Sequence, residues 1–140
     1  MTDIEFAAEK LDSGRVTFAA AKDGVLITSE KRGIKPLLDL YTGRTDMNGW
    51  SCADKVVGKA PAMMYVLLGV SEVFAPVMTK TAKDIMESAG IKCTSDTLAD
   101  VIMRRDGKDL CPMEKAVKNI DDPEEAVTAI QKIAAELAVK

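Results

Sequence analysis

Ser51-Cys52-Ala53-Asp54-Lys55-Val56-Val57-Gly58-Lys59-Ala60 is the stretch on which the reading of the whole chain turns. It runs directly into Pro61-Ala62-Met63-Met64-Tyr65-Val66-Leu67-Leu68, and together the two predict one helix from Ser51 to about Leu68. Ser51 would cap it, and Asp54, three residues on, resembles the acidic half of a capping box. Val56, Val57, Ala60, Met63, Met64, Leu67 and Leu68 then form one apolar stripe. Lys55 and Lys59 stand one turn apart on the opposite face, where lysines are ordinarily solvated. Two residues sit awkwardly in this helix. Gly58 costs about 1 kcal/mol relative to alanine there, so either a second helix or a ligand should approach its backbone. Pro61 should bend the helix, because an interior proline costs roughly 3 kcal/mol in a straight one. Nothing in the sequence accounts for it.

Outward from this stretch the elements are well punctuated. Thr2 to Leu11 reads as an amphipathic helix with Ile4, Ala7, Ala8 and Leu11 on one face, ended by Ser13-Gly14. Val16–Ala21 and Val25–Ser29 flank Asp23-Gly24. That pattern predicts a hairpin, since both central residues of a type I′ turn need positive φ. Pro36, in Gly33-Ile34-Lys35-Pro36, fits the first turn of a helix carrying Leu37, Leu38, Leu40 and Tyr41. Val73 to Met78 is a continuous apolar run that suits a parallel strand covered on both faces. A helix from Thr79 to Ala89 closes on Gly90. Ile91–Thr94 and Leu98–Met103 read as strands, and Pro112 and Pro123 each open a helix. Asp122 and Glu125 add a capping signal to the last of these. A hairpin feeding a mixed sheet with helices on both sides follows, an α/β fold in three α/β/α layers. One domain spans 1–140, with an N-terminal helix in 1–14, the hairpin in 15–30 and a C-terminal helix in 120–140.

Composition narrows the function. Nearly half the residues are apolar but only 4% are aromatic, so the core is built from Ala, Val, Ile, Leu and Met. The net charge of -3 and the scatter of Lys and Arg argue against primary nucleic-acid binding, which calls for a basic face. A small anion held by a few local cations remains compatible. No run approaches the roughly 20 apolar residues of a membrane span, and the N-terminus lacks a signal core. Three cysteines at wide, irregular spacing do not make a disulfide framework. A cytoplasmic location is expected.

Four motifs in order carry a resemblance: Gly33-Ile34-Lys35-Pro36-Leu37, Asp54 to Ala60, Arg105-Asp106-Gly107 and Cys111-Pro112-Met113-Glu114. Together they resemble an uncharacterised prokaryotic family with a cytidine deaminase-like fold that lacks the zinc signature. The resemblance runs from about Val16 to Ala134. It implies that Ser51-Cys52-Ala53-Asp54 stands where zinc deaminases open a helix on Cys-Ala-Glu, a thiolate ligand and a proton-shuttling carboxylate. The companion Pro-Cys-x-x-Cys is here Pro76-Val77-Met78-Thr79-Lys80, which puts Val77 and Lys80 at the ligand positions. With no histidine in the chain, one thiolate does not make a catalytic zinc site, which usually takes three protein ligands. No metal and no cofactor are expected.

Cys52 is either a ligand-facing thiol or a small buried hydrophobe near a helix start. Asp54 is either a capping carboxylate or a proton-transfer group. Cys111 stands at the N-cap before Pro112, where the helix dipole favours a thiolate. Arg104 and Arg105 precede it, and Glu114 either caps the same helix or acts as a base. Without histidine no Ser-His or Cys-His pair forms, so any catalysis must use cysteine, carboxylate or lysine. The catalytic candidates are Cys111, with Cys52 as the alternative nucleophile, and Glu114 and Asp54 for proton transfer. Cations on both sides of Gly58 and free N–H groups at a helix start suit a phosphate or carboxylate. The expected ligand set is Cys52, Asp54, Lys55, Gly58, Lys59 and Arg105. The expected function is a metal-free deaminase-like domain binding a nucleotide or other small anionic ligand. The alternatives are a metal-independent enzyme with a cysteine nucleophile, and a structural homo-oligomer joined through Gly58, Ala62 and Gly69.

Overall fold

The structure, a computed structural model, describes residues 1–103 and 107–138. Thr2 opens helix α1 (Asp3–Leu11) with a complete capping box, its side chain accepting from the Glu5 N–H while Glu5 reaches back. Strands β1 (Phe18–Lys22) and β2 (Val25–Ser29) then pair antiparallel, with Lys22 opposite Val25. Asp23 and Gly24 between them have φ of 51° and 81°, the two positive values a type I′ turn requires. Helix α2 (Lys35–Thr42) carries Pro36 in its first turn, as expected.

The stretch from Ser51 corrects the long helix. It forms strand β3 (Ser51–Asp54), a break at Lys55, strand β4 (Val56–Val57), and only then helix α3 (Lys59–Leu68), for which Gly58 is the N-cap. Ser51 is therefore not a cap, Asp54 is not in a first turn, and Lys55 and Lys59 do not share a helical face. Pro61 falls at the third helical position, where its missing N–H would have had no intrahelical partner. It bends nothing; it marks where the helix begins. A short buried strand and a buried helix segment share the same apolar content, so periodicity alone does not separate them.

Strand β5 (Glu72–Thr79) runs parallel to β3, β4 and strand β6 (Lys92–Ala99). β3 and β4 pair with the same edge of β5, so the six-stranded mixed sheet reads β2-β1-β3/β4-β5-β6 across its width. Pro76 stands in the middle of β5, a position where proline removes a ladder donor. The register skips it, as it skips Lys55 on the neighbouring strand. The two expected strands at 91–94 and 98–103 are one, β6, while Met103 makes an isolated bridge to Leu110. Helix α4 (Lys80–Ser88) is capped by the Thr79 side chain, and Gly90 follows with φ of 86°. Helices α5 (Pro112–Val117) and α6 (Pro123–Ala138) open on their prolines.

Alternation along β1 divides the core. Ala19 and Ala21 face Ala7 and Leu11 of α1, together with Ala53 of β3. Phe18 and Ala20 face the other side, where Cys52 and Val73 meet Leu37, Met63, Met86 and Ile130 from α2, α3, α4 and α6. Small residues on the α1 side let that helix lie close to the strands. No helix among the described residues is long and apolar enough to cross a membrane.

Candidate functional site

The parallel strands end where two helices begin. α3 starts at Gly58, directly after β4, and α5 starts at Cys111. Glu114 of α5 joins the two starts. Its carboxylate accepts from the Lys59 N–H at 2.6 Å and from the Ala60 N–H at 2.9 Å. These are N–H groups that α3 cannot satisfy internally, so the anion expected at this helix start is supplied by the chain itself. Gly58 is needed for that approach. A β-carbon there would lie 2.2 Å from the Glu114 Oε1 and 2.6 Å from the Ile102 Cδ1. Its φ of -100° is open to any residue, so space alone demands glycine.

Beside this junction lies a cavity of about 420 Å³. Its walls are mostly apolar, from Ile34, Val56, Pro61, Ile102 and Met113, with Thr17 and Gly33 completing one side. Asp54, Cys111 and Glu114 open onto it, and Arg32 and Lys55 also line it. Asp54 ends β3 on the same face as Cys52, which aims it at α3 rather than at solvent. The Tyr65 hydroxyl donates to its Oδ2 at 2.7 Å, and Tyr65 itself is fully buried. Burial pushes the Asp54 carboxyl up to about 7, although the hydrogen bonds from Tyr65 and the Lys55 backbone pull the other way. Burial also holds the Tyr65 phenol well above its ordinary range, and the Asp54 charge adds to that.

The other expected residues divide clearly. Cys52 is fully buried in the core and does not line the cavity. Burial, then the nearby Asp54 charge, drives its thiol far above the ordinary range. Lys55 is exposed, with Nζ 3.4 Å from the Gly14 carbonyl. The Lys59 Nζ donates instead to the Lys118 carbonyl at 3.1 Å, away from the cavity. Gly58 and Ala62 are buried within the chain, so they form no surface for a second subunit. Cys111 is half-buried, and its backbone N–H donates to the Ile102 carbonyl at 2.9 Å. Arg105 lies outside the described residues, as does Arg104. Among the described residues no group of three or more His, Cys, Asp or Glu side chains could hold a metal ion.

Sequence reasoning passed over Tyr65 and Arg32. Tyr65 is the only hydroxyl in an otherwise apolar run, and a buried tyrosine generally finds a partner for its O–H. That signal was available. Arg32 directly precedes the Gly33–Leu37 motif, but only folding puts it on the same cavity as Asp54.

No curated protein matches the chain. Among solved structures, a DUF1893 family protein (TM1506) from Thermotoga maritima superimposes with a TM-score of 0.82 at 27% identity, covering 96% of this chain and 89% of that one. The family model described as TM1506, domain of unknown function (DUF1893), matches residues 6–133, nearly the whole chain. The chain therefore belongs to the DUF1893 family, a domain of unknown function.

Proposed function

We propose that this domain binds a small anionic ligand of nucleotide type in the cavity between β3, α3 and α5, without a metal. The observation that carries the reading is a carboxyl, Asp54, held by the Tyr65 hydroxyl at the wall of a mostly apolar cavity and pushed up to about 7 by burial. A group of that kind both donates and accepts at neutral pH, which suits the polar edge of a base or amide. Mostly apolar walls with a few convergent polar groups and a perturbed titratable residue are the usual marks of a ligand site. Arg32, together with Lys55 once its Nζ leaves the Gly14 carbonyl, rather than the start of α3, is the group to meet a phosphate or carboxylate, because Glu114 already occupies that helix start. The deaminase-like, three-layer description of the fold belongs to the same proposal; α1 on one sheet face and the remaining helices on the other support it. So does a reducing cytoplasmic setting, in which the three free cysteines persist as thiols.

The test is thermal stabilisation by a panel of nucleosides, nucleotides and phosphate esters up to millimolar concentration. A ligand at about 100 times its Kd adds roughly 2.7 kcal/mol, a Tm rise of several degrees. Arg32→Ala with Lys55→Ala should abolish the rise while Asp54→Asn weakens it. No stabilisation by any compound overturns the reading. One observation favours a second reading, a cysteine-dependent enzyme: Cys111 is half-buried on the same cavity as Asp54 and Glu114. Iodoacetamide labelling across pH separates the two, since a nucleophile should label well below the ordinary thiol range.

A further inference from the structure

The sheet ends on β6, which pairs with β5 along one edge and has no strand on its other edge among the described residues. The phase of that free edge follows from one bond. The Lys92 N–H donates inward to the Ser71 carbonyl at 3.1 Å. Alternation then turns the backbone groups of Thr94 inward as well, and those of Cys93 and Ser95 outward. Lys92, Thr94 and Asp96 are exposed, and neither Lys92 nor Asp96 has an ion-pair partner among the described residues.

We propose that β6 pairs antiparallel with β6 of a second copy of this chain, about a two-fold axis at Thr94. In that register Cys93 lies opposite Ser95 of the second copy, and these outward-facing residues exchange both hydrogen bonds. Lys92 lies opposite Asp96 of the second copy, twice by symmetry, in the non-hydrogen-bonded pairing that brings side chains closest. Neighbouring registers lack this match. An axis at Cys93 sets Lys92 against Thr94, and one at Ser95 sets Asp96 against Thr94. An axis at Asp96 sets the two aspartates against each other. Axes between residues oppose an inward group to an outward one. Charge complementarity therefore selects both the occupant and the register. An open strand edge is a template for such pairing, and a two-fold contact must be complementary to itself. The expected assembly is one continuous sheet through both copies.

Sedimentation equilibrium of the full chain from micromolar to millimolar concentration should show a concentration-dependent dimer. Lys92→Asp should raise the dimer dissociation constant about tenfold or more, and adding Asp96→Lys should restore it. Thr94→Cys should form a disulfide dimer under mild oxidation, because a non-hydrogen-bonded pair spaces α-carbons at roughly 4.5 Å, within disulfide reach. Circular dichroism checks that these exposed substitutions leave the fold intact. A monomer at every concentration, a dimer indifferent to Lys92→Asp, or Thr94→Cys cross-linking no faster than Thr97→Cys would each overturn the pairing.

Discussion

Asp54 shows how one residue's environment sets both chemistry and stability. Its carboxyl is raised from an ordinary value of 3.8 to about 7 in the folded chain. The folded state therefore holds a proton that the unfolded state releases. The stability linked to Asp54 is fully present below about pH 3.8 and is lost as the pH rises through about 7. The gap of about three units corresponds to at most ~4 kcal/mol. Asp54→Asn keeps the shape and an acceptor for Tyr65 but cannot ionise. Urea unfolding at pH 5 and pH 8 should show the wild type losing stability relative to this variant across that interval. A difference between the two proteins that stays constant with pH would contradict the burial argument.

At the scale of elements, the decisive contact is Glu114 holding α5 against the start of α3. Hydrogen bonds to a charged group contribute roughly 1.5–3 kcal/mol each, and this carboxylate accepts two. Glu114→Ala should cost about 2–4 kcal/mol by chemical denaturation, and Glu114→Gln less, since an amide keeps the shape but gives up the charge. Gly58→Ala should cost at least as much as Glu114→Ala. Its β-carbon would displace both the carboxylate and Ile102. An unchanged midpoint for Gly58→Ala would mean that α5 does not seat on α3 in this way. The same contact makes Gly58, Glu114 and Pro61 one structural unit, in which the glycine admits the acid, the acid caps the helix, and the proline occupies a turn that needs no donor.

Across the whole molecule, stability should grade from β5 outward. β5 is paired on both edges and buries Val73 and Ala75 completely, whereas β6 is paired on one edge only among the described residues. Native-state hydrogen exchange should find the slowest amides around Val73 and Ala75 and the fastest strand amides at Cys93 and Ser95. Protection at Cys93 and Ser95 that grows with protein concentration would report the β6 pairing directly. Rapid exchange throughout β5 would place the stable centre elsewhere.

Elements with local punctuation could be read from the chain alone. The Asp23-Gly24 turn, the Pro36, Pro112 and Pro123 helix starts and the Gly90 stop depend on φ preferences that a few residues determine by themselves. The parallel strand at Val73–Met78 was legible as a continuous apolar run, and Asp54, Cys111 and Glu114, singled out by residue type, are brought to the wall of one cavity. Folding alone decided that Ser51–Val57 is strand rather than helix. A run of small apolar residues is indifferent between the two until β1 and β5 supply hydrogen bonds on either side. It decided, too, that Cys52 is buried and Lys59 turned away, and that the helix start is filled by an acid 55 residues distant in sequence. Those outcomes rest on long-range pairing and close approach, and no local pattern of residues encodes them.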